Sequence, residues 1–174
     1  MELYRILNDV IDLRSFSNLW YWIGLAVVWS SASRWVLGVP YEMVQRGRRQ
    51  GGQTALDVET MVAINCRRVL GLSRAAAVPI FFAAAFLITV IAMLAFYYNV
   101  EFAQALFFLL APMLAVGWLN VAAAARIDAG ENRGEPLYHR LLTLRRKIQV
   151  LGMSVIFVTA MFGMWRNLNM SVLY

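Results

Sequence analysis

Between Arg74 and Arg126 the only charged residue is Glu101, so two apolar runs, Ala75–Tyr98 and Phe102–Ala125, stand back to back across the turn Asn99-Val100-Glu101. A helix needs about 20 apolar residues to cross roughly 30 Å of hydrocarbon. Each run is long enough, and the pattern predicts a tight hairpin of two membrane spans, about 75–98 and 102–125. Tyr97 and Tyr98 fall at the far interface, where aromatic belts sit. Pro79 lies in about the first turn of its span, where a missing N–H costs little. Pro112 lies near the middle of the next, and predicts a kink there.

A third apolar run supplies a span over about 18–37, entered through Ser15-Phe16-Ser17-Asn18 and carrying Trp20, Tyr21, Trp22, Trp29 and Trp35. Arg34 is its one internal charge, with a stem long enough to snorkel to the interface. The run is too long for the apolar part of a cleavable signal, so it is expected to remain as a span. Before it, residues 1–14 place Leu3, Ile6, Leu7, Val10 and Leu13 at helical spacing, an amphipathic segment. At the other end Ile148–Trp165 predicts a last span, about 148–165. Its apolar stripe, Leu137, Leu141, Leu144, Ile148, Leu151 and Val155, continues across Arg145-Arg146-Lys147, so the helix is expected to project beyond the bilayer.

The intervening segments, 40–74 and 126–147, are polar enough to be loops. Gly38 and Pro40 stop or bend the first span, and residues 46–53 form a basic, glycine-bearing connector that is expected to be mobile. Thr54 with Asp57 resembles a capping box, opening a helix that ends near Gly71. Val58, Met61, Val62, Cys66 and Val69 share one face of it, which predicts a helix lying on the membrane surface, with Cys66 a packed thiol. After the hairpin, Gly130 and Gly134 mark a turn, with Pro136 suited to a first helical position. The expected fold is all-α: a single polytopic membrane domain over 1–174, with four transmembrane helices and amphipathic interfacial helices.

Composition agrees with one membrane domain, since 61% of the 174 residues are hydrophobic and no stretch is left for a soluble module. The net charge of +6 would point to nucleic acid in a soluble protein, but here the placement of the arginines accounts for it. Arg46, Arg48, Arg49, Arg67, Arg68 and Arg74 precede the hairpin; Arg126, Arg133, Arg140, Arg145, Arg146 and Lys147 follow it. Only Arg5, Arg14 and Arg166 belong to the opposite side. The positive-inside rule puts both long loops in the cytoplasm and both termini in the periplasm of a bacterial inner membrane, with no nucleic-acid partner expected.

The single cysteine and the single histidine, His139, exclude an internal disulfide, a cysteine-built metal site and a bis-histidine haem within one chain. No phosphate loop, nucleophile elbow or zinc helix is present. Catalytic, cofactor-binding and metal-ligating residues are therefore not expected. The polar residues left within the spans are Arg34, Gln104 and Asn120, the last two read as interhelical hydrogen-bonding groups. Arg46, Arg48, Arg49, Arg67, Arg68, Arg145, Arg146 and Lys147 are placed to meet anionic lipid headgroups. Gly24, Ser30, Ser31, Gly152 and Gly163 offer small surfaces for helix packing or a partner.

The stretch Val10-Ile11-Asp12-Leu13-Arg14-Ser15-Phe16-Ser17-Asn18-Leu19-Trp20-Tyr21-Trp22, continuing to Trp35-Val36-Leu37-Gly38-Val39-Pro40-Tyr41, resembles the opening of a bacterial family of small four-span inner-membrane proteins. Some members carry a label linking them to the Suf iron–sulfur assembly complex. One cysteine and one histidine fall short of the four ligands a cluster needs, and the resemblance brings no catalytic residues. The expected function is that of a non-catalytic accessory, assembly or scaffold subunit of a larger inner-membrane complex, its partners being membrane lipids and other integral membrane subunits. One alternative is a small channel or transporter lined by the Pro112-kinked third span, with Gln104 and Asn120 facing water. Another is a lipid-binding protein or membrane-surface enzyme using the basic helices.

Overall fold

The computed structural model describes Phe16 and residues 19–171, with side chains as far as Leu168. The amphipathic segment expected over 1–14 lies outside the described residues. Helix α1 (Leu19–Arg34) leads through a two-stranded hairpin, β1 (Trp35–Val36) and β2 (Val39–Pro40), into α2 (Tyr41–Gln50). Then follow α3 (Gly52–Ala92), which runs into a π-helical turn at Met93–Tyr97, α4 (Glu101–Asp128) and α5 (Gly134–Ser171). Three of these are long and apolar enough to cross a membrane: α3 with its π turn, α4, and α5.

The first predicted span is cut short. At 16 residues, α1 extends about 24 Å, and it ends at Arg34 because the chain reverses immediately afterwards. Leu37 and Gly38 both have positive φ, 51° and 72°, which joins two strands through a tight turn of the primed kind. Trp35 pairs with Pro40 and Val36 with Val39. Val36, Leu37 and Val39 are 3% exposed or less, so burial of the turn itself offsets the strain of a leucine in the left-handed region.

The expected mobile connector is mostly helix. Pro40, with φ −60°, leads directly into α2, and the chain bends only at Gly51 and Gly52, where φ is 64° and 55°. Gly47 serves packing here: a Cβ on it would stand 2.9 Å from Val58 Cγ2 and 3.0 Å from the Tyr138 hydroxyl. Thr54 does not cap α3, since it lies inside the helix and its hydroxyl donates to the Gly51 carbonyl at 2.7 Å.

The expected surface helix is the first half of α3, and it continues past Gly71 without ending. Val58, Val62, Cys66 and Leu70 recur at a helical i, i+4 spacing and are all buried. The apolar face meets α2, the hairpin, α4 and α5 in one core with Val36, Val39, Val44, Ala124, Ile127, Leu137, Leu141, Leu144 and Ile148. Protein covers that face, while Met61 turns outward and Val69 is half-buried. At Ala76 the dihedrals leave the helical region (φ −132°, ψ 20°). Pro79 follows three residues on, and its ring would clash with the carbonyl of Ala75 in a straight helix. Beyond the bend Val78, Phe81, Phe82 and Phe86 point outward, each at least two-thirds exposed.

Helix α4 runs through Pro112 without a break in helical dihedrals. Helix α5 is 38 residues long, about 57 Å, which exceeds the hydrocarbon thickness by nearly as much again. It starts two residues before Pro136, which therefore sits within the first turn rather than at its first position. His139 is exposed on this helix, not in a loop.

Candidate functional site

The two basic segments of the sequence meet at one end of the molecule, here called the base. Arg48 donates to both oxygens of Glu135, at 3.3 and 3.1 Å, the Gly134 amide donates to Glu59 at 3.0 Å, and Arg74 lies 3.6 Å from Asp128. Arg145 stacks its guanidinium 3.5 Å from the centre of the Tyr41 ring, a cation–π contact that neutral packing cannot supply. Arg140 holds Glu131 through a two-pronged contact, and that hydrogen bond keeps the Glu131 carboxyl below its ordinary pKa.

The eight cations expected at lipid headgroups are therefore not equivalent. Arg48 and Arg145 are engaged by Glu135 and Tyr41, whereas Arg46, Arg49, Arg67, Arg68, Arg146 and Lys147 are exposed. Under them, burial pushes the Cys66 thiol up to about 11, with Asp128 adding to the effect. Burial also raises the Tyr138 phenol, assisted by Glu59 and Glu135.

Between α4 and α5, where they emerge from the base, lies a cleft of about 290 Å³. Arg126 and Arg140 line its base end, Thr143 its middle, and Trp118, Leu119 and Lys147 its deeper end. Of these the sequence singled out only Lys147 as a lipid contact. The missed signal is the short connection from Ala129 to Arg133, which sets positions before it opposite positions after it.

A second groove, of about 440 Å³, separates α1 from α5 and is lined by Ala26, Trp29, Ser30, Ser33, Gln149 and Gly152 among others. Gly152 exists for Trp29, because a Cβ there would fall 2.7 Å from the indole Cε3. Trp29 is 5% exposed, and its buried indole N–H has no partner among the described residues. Gly163 similarly receives the Phe16 ring, 3.2 Å from a Cβ placed on it. By contrast Gly24 meets nothing within 4 Å, and Ser30 and Ser31 are exposed.

At the opposite end Glu101 accepts from the Phe16 amide at 2.9 Å and lies 3.8 Å from Arg166, the two side chains being 11% and 19% exposed. Arg166 also donates to the Asn99 carbonyl at 3.0 Å. Phe16 packs edge-on against Tyr21, Phe108 and Phe162, and its carbonyl accepts from the Trp22 indole at 3.1 Å.

The polar span residues go three different ways. Gln104, 2% exposed, donates across the hairpin to the Ala95 carbonyl at 2.8 Å. That carbonyl belongs to the π turn, where the regular ladder is disrupted, so the amide supplies a partner that the backbone does not. Among the described residues Asn120 bonds within its own helix, to the Val116 carbonyl at 2.8 Å. Arg34 is exposed at the end of α1. Among the described residues no three His, Cys, Asp or Glu side chains are grouped as metal ligands.

Compared with protein-family models, curated proteins and solved structures, the chain matches none.

Proposed function

We propose that this chain is a non-catalytic, multi-pass subunit of the bacterial inner membrane that assembles or scaffolds a larger membrane complex. The observation that carries the reading is the poor mutual packing of the spans. Of the most apolar 18 residues in each, 6% are buried in α3, 11% in α4 and 22% in α5. Helices in lipid gain little from hydrophobicity and associate through close surface contact, so these faces are available to lipid and to other helices. The outer face of α1, open at Gly24 and Ser31, is the natural approach for a partner helix, and α1 serves as the fourth, short span. The resemblance at residues 10–41 points the same way.

In this reading the base is cytoplasmic and both termini are periplasmic, following the excess of arginine. Single cysteines at Gln50 and at Ser171, in a Cys66→Ser background, check it with an impermeant thiol reagent on intact cells: labelling at 171 and not at 50 is expected. Purification in mild detergent after crosslinking in native membranes tests the subunit role. A fixed set of partners is expected, and Gly24→Leu with Ser31→Leu should deplete it. A monomer with no enriched partner would refute the role. The channel reading finds less support, because Gln104 is spent on the Ala95 carbonyl rather than exposed to water.

A further inference from the structure

We propose that the α4–α5 cleft binds the headgroup of an anionic glycerophospholipid, its phosphate held between Arg126 and Lys147 with Thr143 beside them, and one acyl chain running along Trp118. The inference is independent of the subunit role.

The acidic side chains near the base end of the cleft are each held by another cation: Asp128 by Arg74, Glu131 by Arg140 and Glu135 by Arg48. Arg140 is thereby neutralised. Arg126 and Lys147 are exposed, and neither has a carboxylate partner among the described residues. Neither is tied into an ion pair, although Arg126 also helps to lower the Glu131 pKa, and both line a cavity of about 290 Å³, for which an anion is the complementary occupant.

The direction of the cleft selects a lipid over a free anion. Helix α4 runs from the far turn toward the base, so Trp118 lies two helical turns deeper than Arg126, about 12 Å along the axis. Helix α5 runs the opposite way, so Thr143 lies between the level of Arg126 and that of Lys147, and Lys147 stands beside Leu119 and a Trp118 that is 70% exposed, its long stem able to snorkel back toward Thr143. Two cations that bracket one hydroxyl, next to an indole open on the outer surface of a span, match a molecule with a phosphate at one end and hydrocarbon at the other. Basic pockets between spans, at the level where arginines gather, are a known setting for such headgroups. Thr143, half-buried on α5, adds a hydroxyl that donates to a phosphate oxygen.

The test uses the full chain in vesicles of phosphatidylcholine containing brominated phosphatidylglycerol or, separately, brominated phosphatidylcholine. Trp118 quenching is isolated as the difference from Trp118→Phe. Quenching by the anionic lipid should be favoured on the order of thirtyfold, at about 1 kcal/mol for each of the two cations. Arg126→Gln with Lys147→Gln should abolish the preference, while Arg126→Lys with Lys147→Arg keeps it. Helical circular dichroism confirms that each variant is folded. Arg67→Gln with Arg68→Gln removes equal charge from elsewhere on the base and should leave the preference intact. Equal quenching by both lipids, or an equal drop in both charge-removed variants, would overturn the site. Loss of the preference on adding millimolar inorganic phosphate, but not equal ionic strength of chloride, would show a free-anion site and overturn the lipid assignment.

Discussion

The base and the spans of this molecule are both helical, yet they are held together by different forces. In the base, Val36, Val39, Val58, Leu137 and Leu141 are completely buried, and Arg48, Arg74 and Arg140 pair with Glu135, Asp128 and Glu131 around them. In the spans, phenylalanines at 81, 82 and 86 lie open on the outer surface, and the helices meet through small residues, rings and single hydrogen bonds: Trp29 over Gly152, Phe16 over Gly163, Phe96 on Phe107, Gln104 on Ala95. Water drives burial in the base. In lipid that drive is absent, and small residues, ring contacts and single hydrogen bonds do the joining.

The largest expected effect lies in the base. Leu141→Ala opens a cavity in its most buried layer and should cost about 3 kcal/mol, whereas Phe82→Ala in the span should cost under about 0.5 kcal/mol. Denaturant unfolding in detergent micelles distinguishes them, and equal losses would erase the contrast. Next, Gly152→Ala sets a methyl against the rigid Trp29 ring at 2.7 Å and should cost about 1–3 kcal/mol, with a shift in Trp fluorescence. Gly24→Ala, with nothing nearby, is the neutral counterpart.

Gln104→Leu leaves the Ala95 carbonyl without its cross-helix donor and should cost about 1 kcal/mol. Faster hydrogen exchange confined to Met93–Val100 is the readout; exchange spread evenly over both spans would mean the bond is not local. The smallest effect is electrostatic. Because Arg140 lowers the Glu131 pKa, their pairing contributes stability above the ordinary carboxylate range and loses it as pH falls through that range and below. Glu131→Gln should flatten the acid limb of a Tm-against-pH curve, and salt should shrink the difference.

How far the sequence could be read follows the same division. The apolar runs at 75–98 and 102–125 and the stripe from Leu137 to Ile148 were legible, because length and periodicity alone specify an apolar helix. The stripe at Val58, Val62 and Cys66 was legible too, but a single sequence does not say whether lipid or protein covers it. Residues 46–53 read as flexible because arginine and glycine carry no hydropathy signal; Gly47 is there for closeness to Tyr138, which only the fold reveals. The α4–α5 cleft escaped because Arg126 and Lys147 belong to separate helices; Gln104 was legible as an interhelical hydrogen-bonding group, but its acceptor was not, because no pattern marks the π turn that frees the Ala95 carbonyl.

The bend at Ala76 has a geometric result for the whole chain. A straight helix as long as α3, 41 residues, would carry the orientation of its buried stripe unaltered into the bilayer, since each residue turns about 100° from the last. Breaking the dihedrals at one position resets that phase. The half that faces Leu137 and the half that faces acyl chains then keep independent angular registers, so the spacing of Val58, Val62, Cys66 and Leu70 places no demand on where Phe81, Phe82 and Phe86 must point.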